Sequence, residues 1–273
     1  MKYITSCKNS IFKQLAGLDE SSKKRRVGGL TILDGAHLIN SYYEKIGSPK
    51  CLFINELGHK NPEIKRLLNL EDSKTVEVYV LSDSLFRNIS PVKTPTGIIA
   101  LVPIPTLEDI TVSKGANFCT LLESIQDPGN LGSILRSAAA AGVCDIYMSD
   151  GCADAWSPKT LRAAMGAHFI LRIHEKSDLT KIAQKFKGQV IATTLESDKS
   201  LYELSLDGPI AFVFGNEGAG LSELMYQAAN EKITIPMPGK AESLNVAAAA
   251  AICFFERVRQ LQQFKFNGHT RLK

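Results

Sequence analysis

Ile233 to Glu256 reads ITIPMPGKAESLNVAAAAAICFFE. A short β-type run, Ile233-Thr234-Ile235, meets Pro236 and Pro238, which end a regular ladder. Gly239 frees the backbone to turn. Glu242-Ser243-Leu244-Asn245 then leads into an alanine run that is strongly helix-forming and small in cross-section, so other backbone can approach it closely. Polar Ser243 and Asn245 stand at the mouth of an apolar helix. Alone, they read as a helix start, because Ser and Asn are favoured caps. Their meaning changes with two stretches further upstream.

The chain has 273 residues, 44% hydrophobic and 22% charged, a globular composition with room for two domains. The net charge of +4 permits a nucleic-acid partner without demanding one. No run approaches the roughly 20 apolar residues of a membrane span. The first residues, MKYITSCKNSIFKQ, lack the apolar core of a signal peptide. Cys7, Cys51, Cys119, Cys144, Cys152 and Cys253 are scattered without a C-x-x-C pair, and the five histidines are equally dispersed. The expectation is buried free thiols in a cytoplasmic protein with no metal site and no membrane association.

Strands are expected at Leu30–Asp34, Cys51–Ile54, Val76–Leu81 and Gly97–Val102, alternating with helices over Gly35–Lys45 and Pro62–Leu68. That alternation describes a small α/β unit. Pro103, Pro105 and the polar run Glu108 to Lys114 interrupt it, so the boundary is placed near residue 106, dividing the chain into 1–106 and 107–273. Lys23, Lys24, Arg25 and Arg26 form a basic block that reads as a solvated loop or as an arm contacting RNA phosphates.

In the second half, Asn117–Leu122 is a strand of buried type. It runs into Glu123-Ser124-Ile125-Gln126-Asp127-Pro128-Gly129-Asn130, where Asn130 is placed to cap a helix that Gly142 stops. Arg136 is the sole charge on that helix, and if buried it requires a partner: an acid elsewhere, or a phosphate or reacting hydroxyl. Lys159 and Arg162 share a face of the helix opened by Ser157-Pro158, where a nucleic-acid phosphate would offset the unfavourable dipole. Strands follow at Asp145–Met148, Phe169–Ile173 and Val190–Thr194, with a helix near Asp178–Lys187. Pro209–Phe214 is a further buried strand, ending in Gly215-Asn216-Glu217-Gly218-Ala219-Gly220. This is neither a dinucleotide fingerprint nor a P-loop.

Together these junctions resemble the SpoU, or TrmH-like, branch of the SPOUT RNA methyltransferases. The family's three motifs match at Asn130-x-Gly132-x-x-x-Arg136, at Gly215-Asn216-Glu217-Gly218-x-Gly220-Leu221, and at Ile235-Pro236-Met237-x-Gly239-x-x-Glu242-Ser243-Leu244-Asn245. The resemblance covers roughly residues 117 to 256, and the first hundred residues look like the L30e-like substrate-binding domain that many members carry. It implies an α/β trefoil-knot domain after a smaller α/β domain, methyl transfer from S-adenosylmethionine to a ribose 2′-hydroxyl, and a homodimer with its site near the subunit interface. It favours ribosomal RNA as substrate and leaves transfer RNA open as the alternative. Carried over residue by residue, the reacting set is Asn130, Arg136, Glu217, Ser243 and Asn245. The methyl-donor pocket falls on Thr193, Gly215, Asn216, Ile235, Met237 and Leu244. Lys23, Lys24, Arg25, Arg26, Lys159 and Arg162 are the candidate RNA contacts. Arg136 is expected to orient the hydroxyl, with Glu217 holding Arg136 or orienting Asn130. Two other readings use the same scaffold: a catalytically silent RNA-binding protein, and methylation of a base nitrogen.

Overall fold

The computed structural model describes residues 1–70, 76–90, 95–110 and 118–269, with side chains described through residue 262. Asn117, most of the polar run to Lys114, and the basic tail Arg271 to Lys273 lie outside these residues. In chain order the elements are β1 (Lys2–Ile4), α1 (Ser10–Glu20), α2 (Ser22–Gly28), β2 (Leu30–Asp34), α3 (Ala36–Lys45), β3 (Cys51–Asn55), α4 (Pro62–Leu68), β4 (Glu77–Leu81), α5 (Asp83–Ile89) and β5 (Ile98–Pro103). They continue with β6 (Phe118–Leu122), α6 (Pro128–Ala140), β7 (Asp145–Met148), α7 (Pro158–Ala164), β8 (Arg172–His174), α8 (Leu179–Lys185), β9 (Gln189–Thr193), β10 (Ile210–Phe214), α9 (Glu223–Ala228), β11 (Glu231–Ile233) and α10 (Val246–His269).

Two compact units result. The first comprises Met1–Thr111 together with Asp154–Phe169, and the second Val112–Ala153 with Ile170–Lys273. A single cut near residue 106 therefore misses one feature: the segment around α7 packs with the first unit. Its contacts explain why. Asp154 accepts two hydrogen bonds from Arg25, and the Trp156 carbonyl accepts one from buried Thr31 on β2.

The first unit is built on a five-stranded sheet in the order β1-β4-β3-β5-β2, with β5 antiparallel to both neighbours. Phe12, Leu15 and Leu18 of α1 pack with Ile32, Phe53, Leu81 and Phe86 in its core. Edge strand β1 and helices α1 and α2 were not expected from sequence, although Phe12, Leu15 and Leu18 of α1 recur at helical spacing. The block Lys23 to Arg26 is thus helical, not a loop. Ser21 caps it, and Gly29 ends it at φ 58°.

The second unit carries a six-stranded, wholly parallel sheet in the order β11-β9-β10-β6-β7-β8. The central strands FCTLL and IAFVF are buried on both faces, which is why they read as continuous apolar runs rather than alternating ones. Leu122 pairs with Phe214, so the loops after β6 and β10 leave the sheet side by side. Thr193 pairs with Ile233, bringing the ends of β9 and β11 to the same edge. There Thr194 N–H donates to Ile233 O, Thr234 N–H to Lys199 O, and Leu201 N–H to Thr234 O, locking the two exit segments together. Helix α10 packs against α6 through its alanine-rich start, and fully buried Phe254 sits edge-on to Phe118 and Phe214 at centroid distances of 5.9 and 5.6 Å.

Candidate active site at the strand ends

The loop after β6 turns sharply. Ser124 adopts φ 55°, and Asn216 donates from Nδ2 to the Ser124 carbonyl at 2.8 Å. Asp127, not Asn130, caps α6. It accepts from Asn130 N–H at 2.9 Å, with Pro128 at the first helical position. An Asp-Pro pair is a readable helix start, and it shifts the helix by one turn relative to the sequence expectation. Asn130 is thereby freed from capping. Its Nδ2 donates to Glu217 Oε1 at 3.0 Å.

Glu217 stands at the tip of the glycine loop after β10 and gathers the loop after β6. Its two oxygens accept from Gln126 N–H and Asp127 N–H, each at 3.1 Å, as well as from Asn130. Partial burial penalises the charge. The hydrogen bonds from Asn130 and the surrounding backbone outweigh that, so the carboxyl is held below the ordinary carboxylate range. A carboxylate so well satisfied is an acceptor and a poor proton acceptor in catalysis. Its role is to orient Asn130; it does not hold Arg136.

Asn245 closes the set. It caps α10 by accepting from Ala247 N–H at 3.0 Å and Ala248 N–H at 3.3 Å. Its Nδ2 donates to Asn130 Oδ1 at 2.9 Å. Asn245, Asn130 and Glu217 thus form one directed chain of hydrogen bonds. Two candidates stay outside it. Arg136 lies on the exposed face of α6 and has no hydrogen-bond or ion-pair partner among the described residues, so the alternative of a buried structural ion pair does not apply. Ser243 is likewise exposed, two residues before the cap.

The candidate methyl-donor residues fall on the same edge. Thr193 ends β9, and its Oγ1 donates to Val213 O at 3.1 Å. A side chain on Gly215 would run into the backbone of Gly220 and Leu221, where Asn216 and Gly220 exchange two backbone hydrogen bonds. Asn216 Oδ1 also accepts from Gly218 and Ala219 N–H, both at 2.9 Å. Ile235 and Met237 are half-buried, and Leu244 is 38% exposed. Backbone polar groups flanked by partly exposed apolar side chains suit the flat, hydrogen-bonding adenosine of S-adenosylmethionine. Glu123, not singled out in the sequence, braces this edge by accepting from Ser222 N–H and Oγ at 2.8 and 2.7 Å.

The basic candidates divide differently. Arg25 turns inward and is 4% exposed, with Nε on Asp154 at 2.9 Å and Nη1 on the Leu18 and Asp19 carbonyls. It is a structural ion pair and is not available to a phosphate, which corrects its place among the RNA contacts. Lys23, Lys24 and Arg26 are exposed on α2, and Lys159 on α7. Arg162 donates to Asp34 Oδ2 at 3.3 Å.

Comparison with known proteins accords with this geometry. Residues 117–255 match the SpoU rRNA methylase family, and residues 9–100 match the MRM3-like substrate binding domain. An uncharacterized tRNA/rRNA methyltransferase of Synechocystis is 32% identical, over 94% of this chain and 93% of its own. A 23S rRNA (guanosine(2553)-2′-O)-methyltransferase of Bacillus subtilis is 31% identical, over 93% of this chain and 98% of its own. Among solved structures, one described as an RNA 2′-O ribose methyltransferase superposes with TM-score 0.82 at 30% identity, covering 95% of this chain and 99% of that one. An AdoMet-bound rRNA methyltransferase from Sinorhizobium meliloti gives 0.80 at 27% identity, covering 95% and 98%. The fold and site define an α/β RNA methyltransferase of the SPOUT class. The chain belongs to the SpoU rRNA methylase family, with a substrate-binding unit before the methylase unit.

Proposed function

We propose that this chain methylates a ribose 2′-hydroxyl of large-subunit ribosomal RNA, working as a cytoplasmic homodimer, with S-adenosylmethionine as donor. The observation that carries the reading is the Glu217–Asn130–Asn245 chain, which joins one residue from each of the three family motifs at a single sheet edge. Relatives of similar length act on guanosines of 23S ribosomal RNA by name, which favours that RNA over transfer RNA. No helix among the described residues is long and apolar enough to cross a membrane.

When bound, S-adenosylmethionine supplies a methyl group already activated on a sulfonium. Thr193, Gly215, Asn216, Ile235, Met237 and Leu244 would hold it by backbone and apolar contact. The chain's task is then to align a weak nucleophile and manage its proton. Arg136 offers guanidinium N–H donors and a positive charge, so it orients the hydroxyl and the adjacent phosphate and stabilises developing charge. Exposed and without a partner among the described residues, its N–H groups are open to substrate. Ser243 and the fixed amide of Asn130 position the ribose. Homodimer formation is supported by the exposed face of α6 that carries Arg136 and by Phe255 on α10, 47% exposed.

Tritium transfer from labelled S-adenosylmethionine to ribosomal RNA and to transfer RNA tests the reading, with native chain and Arg136→Ala. Label confined to ribosomal RNA, resistant to alkaline cleavage at the modified nucleotide and lost in Arg136→Ala, is the expected result. Label in transfer RNA alone replaces the substrate. No label in either pool, with cofactor binding absent, makes the chain a silent RNA-binding protein.

A further inference from the structure

Asp34 ends β2, and its side chain is 0% exposed. Oδ1 accepts from Thr96 Oγ1 at 2.5 Å and Oδ2 from Arg162 Nη1 at 3.3 Å. The Arg162 side chain is 40% exposed, and Asp34 is its one hydrogen-bond or ion-pair partner among the described residues, so most of its guanidinium N–H groups are unspent. A cavity of about 260 Å³ opens over this pair, wholly within the first unit. Gly35 makes room for it: its φ of 104° turns β2 into α3 with no side chain over the opening. The walls are largely apolar, from Ala36, Leu38, Ile64 and the 42% exposed Met165, and the exposed carboxylate of Glu63 lies on the rim.

The charges choose the occupant. Asp34 and Arg162 cancel, Glu63 adds a negative charge, and the remaining polar lining is the His37 imidazole, Asn61 and Thr96, so a phosphate meets no surplus of fixed positive charge. A neutral flat ring meets apolar walls, free donors on Arg162 and an acceptor on Glu63. Purines fit that set, because guanine offers adjacent O6 and N7 acceptors to arginine, and unstacked bases are how proteins read RNA sequence. We infer that this cavity receives an unpaired purine base of the RNA, with its acceptor edge on Arg162. The inference rests on the RNA-methyltransferase reading and adds to it a base-reading site away from the methyl-transfer centre.

The test uses the full chain with ribosomal RNA at physiological salt. Methionines are replaced by photo-methionine, the complex is irradiated, and crosslinked peptides are sequenced by mass spectrometry. In parallel, RNA affinity is measured for Arg162→Gln and Glu63→Trp, whose melting temperatures establish folding. The expected result is a Met165 peptide carrying a purine nucleotide, with RNA affinity lowered about tenfold in both variants. A Met165 peptide without a nucleotide, or one carrying pyrimidines as often, overturns the inference. So does affinity within about twofold of native in both variants. Methyl transfer by native chain alongside such a failure leaves the enzyme reading intact. A Met165–purine crosslink without methyl transfer keeps the cavity and removes the enzyme.

Discussion

Asn245 reaches back over 115 residues of sequence to donate to Asn130 at 2.9 Å, while its own Oδ1 caps α10. One side chain thus starts the last helix and fixes the amide of the first motif. The two duties use different atoms and can be separated. Asn245→Asp keeps the capping oxygen and loses the Nδ2 donor. It is expected to melt within about 0.5 kcal/mol of native, because the cap survives, while methyl transfer falls by about an order of magnitude or more. Asn245→Ala loses both, and costs ~1 kcal/mol of stability in addition. Urea titrations beside single-turnover methylation separate these outcomes.

Glu217 carries a depressed pKa because Asn130 and two backbone N–H groups outweigh the penalty of partial burial. A carboxylate with a lowered folded pKa adds stability above its unfolded value, and that contribution disappears as pH falls through the folded value. Glu217→Gln has no such dependence. Its stability relative to native is expected to improve as pH drops from about 5 toward 3. Equal slopes for the two proteins over that window count against the hydrogen-bond account.

His168 is fully buried, with Nε2 2.7 Å from the Ala155 carbonyl, and burial lowers its pKa from 6.5 to about 4. The unfolded chain therefore binds a proton that the folded chain refuses between those values. Stability is expected to fall as pH drops through that interval, by ~3 kcal/mol at most from this group. His168→Phe should flatten the acid limb of the melting curve from about pH 6.5 to 4. An unchanged limb assigns the loss to other groups.

Arg25 and Asp154 form a pair with side chains 5% and 13% exposed. Removing one member strands a buried charge. Arg25→Ala is expected to cost ~3–5 kcal/mol, whereas Lys23→Ala and Lys24→Ala, on the exposed face of α2, stay within ~0.5 kcal/mol. Equilibrium denaturation of the three variants checks the ordering. Lys23→Ala and Lys24→Ala are the ones to assay for RNA affinity.

Much of the candidate site's position was legible because it sits where strands end. FCTLL and IAFVF announce themselves as buried parallel strands, and polar residues immediately after such strands cluster in space. Asn245 as the cap of α10 followed from an Asn before an alanine run. Three things were not legible. Asn130 looked like a cap because the competing Asp127-Pro128 start lies only three residues earlier. The setting of Arg136 was not legible because its helix neighbours are small and apolar, yet the large ones, Leu131, Ile134 and Leu135, turn inward and leave Arg136 on an exposed face with Ser133 and Ala140. Arg25 looked like one of four equivalent cations, since its partner Asp154 is 129 residues away and local sequence holds no trace of a pairing that long.

The segment from Asp154 to Phe169 has a consequence for how this protein can be dissected. The polypeptide passes from one unit to the other at three places, after residues 111, 153 and 169. The gene therefore does not encode two cassettes laid end to end. A fragment ending at residue 111 would lack the carboxylate that neutralises Arg25, the carbonyl that satisfies Thr31 and the arginine that meets Asp34. Three buried polar side chains would lose their partners in one cut. Exchange of the substrate-binding unit between relatives accordingly requires three junctions, one before β6 and two between β7 and β8.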